Sequence, residues 1–244
     1  MEVDWGSILE SSPMPAPSRC FALVPCAGVG LRAGAGGPKQ YTVLAGRAVV
    51  AHTLAALAAV PALVATLVVL AGDDEAFESQ APDFVGPRAW TARCGGATRG
   101  ASVAAGLAVL LERGALAEDW VLVHDAARCL IRPGWVQRLI EACQADAVGG
   151  LLALPLADTL KQAQQERVTA TVPRAGLWLA QTPQMFRLGL LQRGLATAGD
   201  TVTDEASAIE ALGPQPRLVP GELENLKLTW PADFALAARL LETR

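Results

Sequence analysis

Two cations in one glycine-dense loop are the most chemically suggestive residues of this 244-residue chain. Leu23–Tyr41 reads LVPCAGVGLRAGAGGPKQY, with Arg32 inside the loop and Lys39 at its end. Glycines let a backbone turn tightly and bring its N–H groups close to a ligand. Two spaced cations added to such donors suit a polyphosphate and could stabilise charge at a phosphorus centre under attack. Solvated loop cations are the plain alternative; against it, the Pro38–Lys39 pair fixes the local backbone. The loop is neither of the two common phosphate loops. Gly28, Gly30 and Ala33 loosely fit GxGxxA, yet positions 47–60 hold no acid for a ribose. Lys39 is followed by Gln40, where a P-loop requires Ser or Thr.

Two more segments carry chemistry. GGATRGAS (Gly95–Ser102) follows a strand-like run and opens a helix. Gly95 and Gly96 permit close backbone approach, and Ser102 either caps the helix or bonds a ligand. VHDAAR (Val123–Arg128) places Asp125 at a strand end. A single carboxylate there suits Mg²⁺, which takes few protein ligands when a substrate supplies phosphate oxygens. A structural ion pair with Arg128 is the alternative. Arg174, Thr182, Thr203 and Lys227 lie near predicted element ends, but spacing alone does not select them. Asp204 stands where an N-cap belongs, ahead of EASAIEAL.

The positioning elements alternate. Strands are predicted at Phe21–Val24, Leu63–Ala71, Arg88–Arg93, Trp120–His124 and Ala147–Pro155, with helices at Ala48–Ala59, Ala101–Arg113 and Gly134–Ala145. This order predicts an α/β fold of three layers, α/β/α, with a mostly parallel sheet. Ligands of such sheets sit beyond the carboxyl ends of strands. The motifs above follow the predicted strand ends at Val24, Arg93 and His124. Polar Leu156–Val172 breaks the pattern and predicts a hairpin arm turning near Gln164–Glu166; an ordinary surface loop is the alternative. Beyond it are predicted helices at Leu188–Ala198 and Asp204–Leu212, short strands at Arg217–Val219 and Asn225–Leu228, and a last helix from Pro231. Residues 1–18 read as a flexible tail and 19–244 as a single domain, with 155–175 as the arm.

Composition bounds the partners. Net charge is −4, with no Lys/Arg run, which argues against nucleic acid. The odd count of five cysteines, without a CxxC pair, predicts reduced thiols and a cytoplasmic protein. Two separated histidines argue against a zinc site. Ala48–Gly72 lacks any charge, but Pro61 divides it into a helix-like and a strand-like half, so no membrane span is expected.

Taken together, VPCAGVGLRAGAGGPKQY, GGATRGASV, VHDAARCLI, DTLK, RAGLWLAQTPQMF, TDEASAIEALG and NLKLTWPADFALA occur in this order. They resemble the 2-C-methyl-D-erythritol 4-phosphate cytidylyltransferases, the CTP-using enzymes of the non-mevalonate isoprenoid pathway. The resemblance implies a Rossmann-like nucleotidyltransferase fold with a protruding β-arm, and a homodimer built through that arm. It implies that Ala27, Gly28, Arg32 and Lys39 contact the triphosphate, that Gly96 and Ser102 lie against the cytidine, and that Asp125 holds Mg²⁺. Arg128, Thr203 and Lys227 would line the pocket of the polyol phosphate, with Thr182 nearby and the partner subunit's Thr159 and Arg174 reaching in. Arg32, Lys39 and Lys227 would be the catalytic cations. The chain departs from the family pattern at Cys26, Ala97 and Cys129; the last replaces a proline and predicts a looser loop around Arg128. A ribitol 5-phosphate cytidylyltransferase and a non-catalytic nucleotide-binding homologue are the competing readings.

Overall fold

A computed structural model describes residues 18–28, 37–199 and 202–243. Arg32 and all of the expected tail except Ser18 lie outside the described residues. In chain order come β1 (Cys20–Pro25), β2 (Val43–Leu44), β3 (Arg47–Ala48), α1 (Val49–Ala58), β4 (Leu63–Val69), α2 (Phe77–Gln80), β5 (Ala89–Ala92) and α3 (Arg99–Glu112). Then follow β6 (Trp120–Val123), α4 (Pro133–Cys143), β7 (Gly149–Pro155), β8 (Leu160–Gln164), β9 (Arg167–Val172) and β10 (Trp178–Arg187). The chain closes with α5 (Leu188–Ala198), α6 (Glu205–Glu210), β11 (Arg217–Pro220) and α7 (Pro231–Glu242). A 3-10 turn at Lys39–Tyr41 precedes β2.

Seven strands form one sheet in the order β11-β7-β10-β6-β1-β4-β5. All pairings are parallel except those of β10, which runs antiparallel to both β6 and β7. Strand side chains alternate between faces. Ala22 and Val24 therefore join Leu122, Leu54 and Ile140 in one core, while Phe21 and Leu23 join Val121, Leu107 and Leu191 in the other. Helices α1 and α4 cover the first face, and α3 and α5 the second, which is the expected three-layer arrangement. A smaller cluster of Leu44, Val49, Leu130, Leu228 and Ala237 seats α7. The pair β8–β9 forms a separate hairpin, exposed over nearly its whole length, as expected for an arm.

Three differences from the sequence reading matter for the site. Strand β10 was not expected, because its middle carries Gln181, Thr182, Pro183 and Gln184 instead of an apolar run. Its register with β7 shifts between Ala180 and Gln184, which re-aims those side chains. Asn225–Leu228 is not a strand; Asn225 and Leu228 are buried because the segment docks as irregular chain, with Leu228 N–H donating to Ala127 O at 2.9 Å. Helix α3 begins at Arg99, two residues earlier than expected, because Thr98 is the N-cap: its Oγ1 accepts from Ala101 N–H at 3.0 Å.

Gly149 opens β7 at φ +106°, and a Cβ there would lie 2.2 Å from Met185 O on β10. Backbone on backbone cannot give way as a side chain can. Gly149→Ala is expected to lower stability by about 3 kcal/mol, read as a shifted urea midpoint. An unchanged midpoint would contradict the register described for β7 and β10.

Candidate active site

The carboxyl ends of β1, β5 and β6 face one cavity of about 530 Å³. The segment just after β1 delivers Ala27 and Gly28, the turn before β2 delivers Lys39, the loop after β5 delivers Gly96 and Ala97, and the start of α3 delivers Ser102. Asp125 and Lys227 close its far wall. A smaller cavity of about 210 Å³ adjoins it, lined by Arg128, Thr182, Thr203 and Gln184. Arg99, Asp125 and Lys227 line both. Every described residue expected at the site therefore borders one of the two cavities, except Thr159 and Arg174. Those two are exposed beside the hairpin, where Arg174 donates to Ala157 O.

Local bonding explains how each wall is held. Gln40 is buried and its amide donates to Cys26 O at 3.1 Å and Gly28 O at 2.9 Å, fixing the end of β1. Lys39 Nζ donates to Leu228 O at 2.8 Å, joining segments 189 residues apart and bringing it beside Lys227. Ser102 does not cap α3: its Oγ accepts from Gly96 N–H at 3.1 Å and donates to Thr98 O at 3.0 Å, cinching the glycine loop. The close approach allowed by Gly95 is to the protein itself, since a Cβ there would sit 2.2 Å from Ala27 Cβ. Asp204 is the N-cap of α6, as expected, in a capping box with Ser207. The Gln184 side chain joins that turn to β10, accepting from Ala206 N–H at 2.7 Å and donating to Asp204 at 2.9 Å.

Asp125 is the electrostatic hub. Its Oδ1 accepts from Arg99 Nε at 2.9 Å, its Oδ2 pairs with Lys227 Nζ at 2.8 Å, and Arg128 Nε stands 3.7 Å from Oδ2. Burial alone would raise its carboxyl pKa; Arg99, Lys227 and Arg128 outweigh that and hold it well below the usual carboxylate range. The Arg128 pairing weighed above is thus the loosest of three. Arg128 is aimed chiefly by carbonyls, donating to Asn225 O at 2.7 Å and Ala180 O at 3.4 Å. The turn that carries it is closed by Arg128 N–H donating to Asp125 O at 3.0 Å, with Cys129 buried beneath.

Both oxygens of Asp125 already face cations, so a Mg²⁺ held there would share the carboxylate with Arg99 and Lys227 and would take its remaining ligands from substrate phosphates. Among the described residues no group of three His, Cys, Asp or Glu could hold a metal by itself.

Arg99 and Glu205 are not among the residues expected at the site from sequence. Glu205 is completely buried and pairs with Arg99 through both oxygens, at 2.5 and 3.0 Å. Arg99 is the first residue of α3, where the helix dipole disfavours a cation. That misplaced charge, inside a string already singled out, was the available signal.

This sheet and this cationic double cavity define the class of protein, an α/β nucleotidyltransferase. Over residues 20–243 the chain matches the family described as IspD, 2-C-methyl-D-erythritol 4-phosphate cytidylyltransferase, and it belongs to that family. It is 61% identical over 226 residues to a bifunctional enzyme IspD/IspF of Albidiferax ferrireducens, covering 93% of this chain and 54% of that protein. The chain thus spans about half the length of that relative. It is 54% identical to a 2-C-methyl-D-erythritol 4-phosphate cytidylyltransferase of Cupriavidus pinatubonensis, covering 92% of this chain and 95% of the relative. A crystal structure of 4-diphosphocytidyl-2C-methyl-D-erythritol synthase superposes with a TM-score of 0.82 at 43% identity, covering 92% of this chain and 98% of that one.

His124 anchors the hub from beneath. It is fully buried; Nδ1 lies 3.1 Å from Thr182 Oγ1, which accepts from Asp125 N–H at 3.0 Å, and Nε2 lies 3.3 Å from Arg128 O. Burial pushes its pKa from 6.5 down to about 4. Below pH 6.5 the unfolded chain therefore binds a proton that the folded chain refuses, so stability falls as pH drops from 6.5 toward 4. The loss reaches about 3 kcal/mol. Urea midpoints measured across this window should decline in the parent protein, and the part due to His124 should vanish in His124→Gln. Parallel pH slopes in the two proteins would exclude a buried neutral histidine.

Proposed function

We propose that the chain transfers CMP from CTP to 2-C-methyl-D-erythritol 4-phosphate, giving 4-diphosphocytidyl-2-C-methyl-D-erythritol and pyrophosphate. The observation that carries this reading is the pair of adjoining cavities sharing Arg99, Asp125 and Lys227. The larger receives CTP, with Ala27, Gly28 and Lys39 at its phosphates and Gly96 and Ser102 against the cytidine. The smaller receives the acceptor phosphate between Arg128, Thr182, Thr203 and Lys227. A phosphate oxygen of the acceptor forms a bond to the α-phosphorus as the bond from that phosphorus to the bridging oxygen of pyrophosphate breaks.

The nucleophile is already an anion near pH 7, so no general base is required. Neutral, buried His124 is consistent with that. Catalysis comes from alignment and from neutralising charge on the equatorial and leaving oxygens. Lys39 and Arg32 serve the α-phosphate and leaving group; Lys227 draws the acceptor toward the nucleotide. Mg²⁺ is the cofactor we propose; bound with the CTP phosphates beside Asp125, it would neutralise part of their charge.

We read residues 19–244 as one catalytic domain of a cytoplasmic homodimer. No disulfide joins any of the five cysteines, and no described helix is long and apolar enough to cross a membrane. Thr159 and Arg174 act from the partner subunit: both are exposed and border neither cavity of their own chain.

Lys39→Ala is expected to unfold at the parent temperature yet lose at least about a hundredfold in pyrophosphate release from CTP, Mg²⁺ and 2-C-methyl-D-erythritol 4-phosphate. Near-parental turnover would remove Lys39 from the mechanism. Preferential turnover of ribitol 5-phosphate would reassign the acceptor, and CTP binding without any pyrophosphate release would reassign the chain to a nucleotide-binding protein.

The arm assignment has its own test. Arg174→Ala and Lys39→Ala should each be nearly inactive alone. Mixed under subunit exchange, half of the dimers are hybrids with one intact site, so about a quarter of parental activity should return. No recovery in hybrids shown to form would place Arg174 outside the neighbouring site.

A further inference from the structure

Arg99 stands on the wall common to both cavities, and nothing in the proposed chemistry yet uses it. Its guanidinium is held on two sides. Glu205, completely buried at the first turn of α6, takes two of its nitrogens. Its remaining Nε donates to Asp125 Oδ1 at 2.9 Å, and the other oxygen of Asp125 pairs with Lys227 Nζ at 2.8 Å. A single line of alternating charge, Glu205–Arg99–Asp125–Lys227, thus crosses from the turn carrying Thr203 to the segment carrying Lys227. Glu205 touches neither cavity, so its burial serves Arg99 and not a ligand.

Lysine is a point charge on a flexible stem, and a half-exposed one samples many rotamers unless a partner fixes it. Lys227 is 40% exposed, whereas Asp125 and Glu205 are 9% and 0% exposed. Order therefore runs outward, from the buried end of the line to the exposed one.

We propose that Arg99 is a positioning residue: braced by Glu205, it fixes the Asp125 carboxylate and thereby aims Lys227 at the junction of the two cavities. This deepens the cytidylyl-transfer reading and rests on it for its catalytic consequence. Removing Arg99 alone leaves Glu205 buried and unpaired, which endangers the fold. Arg99→Gln combined with Glu205→Gln replaces both charges by amides of similar size, and is the variant to use.

Two measurements decide the matter. The chain has three lysines, Lys39, Lys161 and Lys227. Reductive ¹³C-dimethylation keeps their charge and gives three lysine methyl signals, with Lys227 assigned by its absence in Lys227→Arg. In the folded double variant the Lys227 signal should move, while that of Lys161 on the arm should stay. In turnover, kcat should fall on the order of a hundredfold and the acceptor KM should rise. CTP affinity by calorimetry should remain within about threefold, since the nucleotide wall keeps Lys39 and the Gly96–Ser102 loop. Arg99→Lys with Glu205 intact should recover part of kcat, as one ammonium can bridge one oxygen of each carboxylate. An unmoved Lys227 signal would overturn the proposal, as would parental kcat and acceptor KM in the folded double variant. A loss of CTP affinity matching the loss of kcat would also overturn it, by making Arg99 a direct nucleotide ligand. If the parent protein itself released no pyrophosphate, the function reading would fail, while the Lys227 signal would still decide the positioning.

Discussion

A cleft that must grip polyanions has to keep several positive charges close together while it is empty. Two cations about 4 Å apart repel by about 4 kcal/mol at an effective dielectric near 20. The structure meets that constraint with one carboxylate set among the cations on the shared cavity wall, Asp125, and one buried behind them, Glu205. Asp125 lies at the end of β6 with Arg99, Arg128 and Lys227 around it, and Glu205 backs Arg99 from the opposite side. Two negative charges set against these three cations leave one net positive charge, with Lys39 opposite. Such a basin is held together by its own counter-charges and still favours an anion.

The sheet exists, in functional terms, to deliver those groups to one edge. Strands β1, β4, β5 and β6 run the same way, so the loops after β1, β5 and β6 converge. Strand β10 enters between β6 and β7 from the opposite direction. Its register shift puts Gln181, Thr182 and Gln184 where three neighbouring loops need hydrogen-bond partners. Gln181 donates to Glu222 O, Thr182 takes the Asp125 N–H, and Gln184 ties α6. Asn225 then reaches back to Thr182 O at 2.9 Å, so the segment before Lys227 is pinned to the same strand.

The same demands explain what could be read from sequence. β1, β4 and β6 are buried on both faces, so they are continuous apolar runs and were legible. The division of Ala48–Gly72 at Pro61 was legible for the same reason, and α1 and β4 fall on its two sides. β10 was hidden because its central side chains serve the site: polar residues and a proline argue against an interior strand. Asn225–Leu228 misled in the reverse sense: Leu226 and Leu228 on either side of Lys227 look like strand alternation, but Leu228 is buried by docking on the turn at Ala127. Most site residues lay in strings whose individual chemistry was ambiguous; what brought Lys39 beside Lys227 was its bond to Leu228 O, 189 residues away in sequence. Arg99 escaped because its helix was expected to begin two residues later, and Glu205 because an acid in the first turn of a helix is ordinary; their pairing spans 106 residues.

A hierarchy of strength follows from burial. The Arg99–Glu205 pair is charge-assisted, bidentate and shielded, so leaving either partner alone would cost several kcal/mol. Burial alone would lower the pKa of the Arg99 guanidinium, but Glu205 and Asp125 outweigh it and keep that charge fixed. The Lys227–Asp125 contact is different in kind: the carboxylate is nearly buried but the lysine is substantially exposed, so water and an incoming anion compete for its ammonium. An arriving phosphate can therefore take Lys227 from Asp125 at small cost, whereas it cannot dislodge Arg99. The inner pair supplies the geometry and the outer pair supplies the exchange. A cation held loosely in a firmly held place satisfies both needs of an enzyme that must capture one phosphate and let another go.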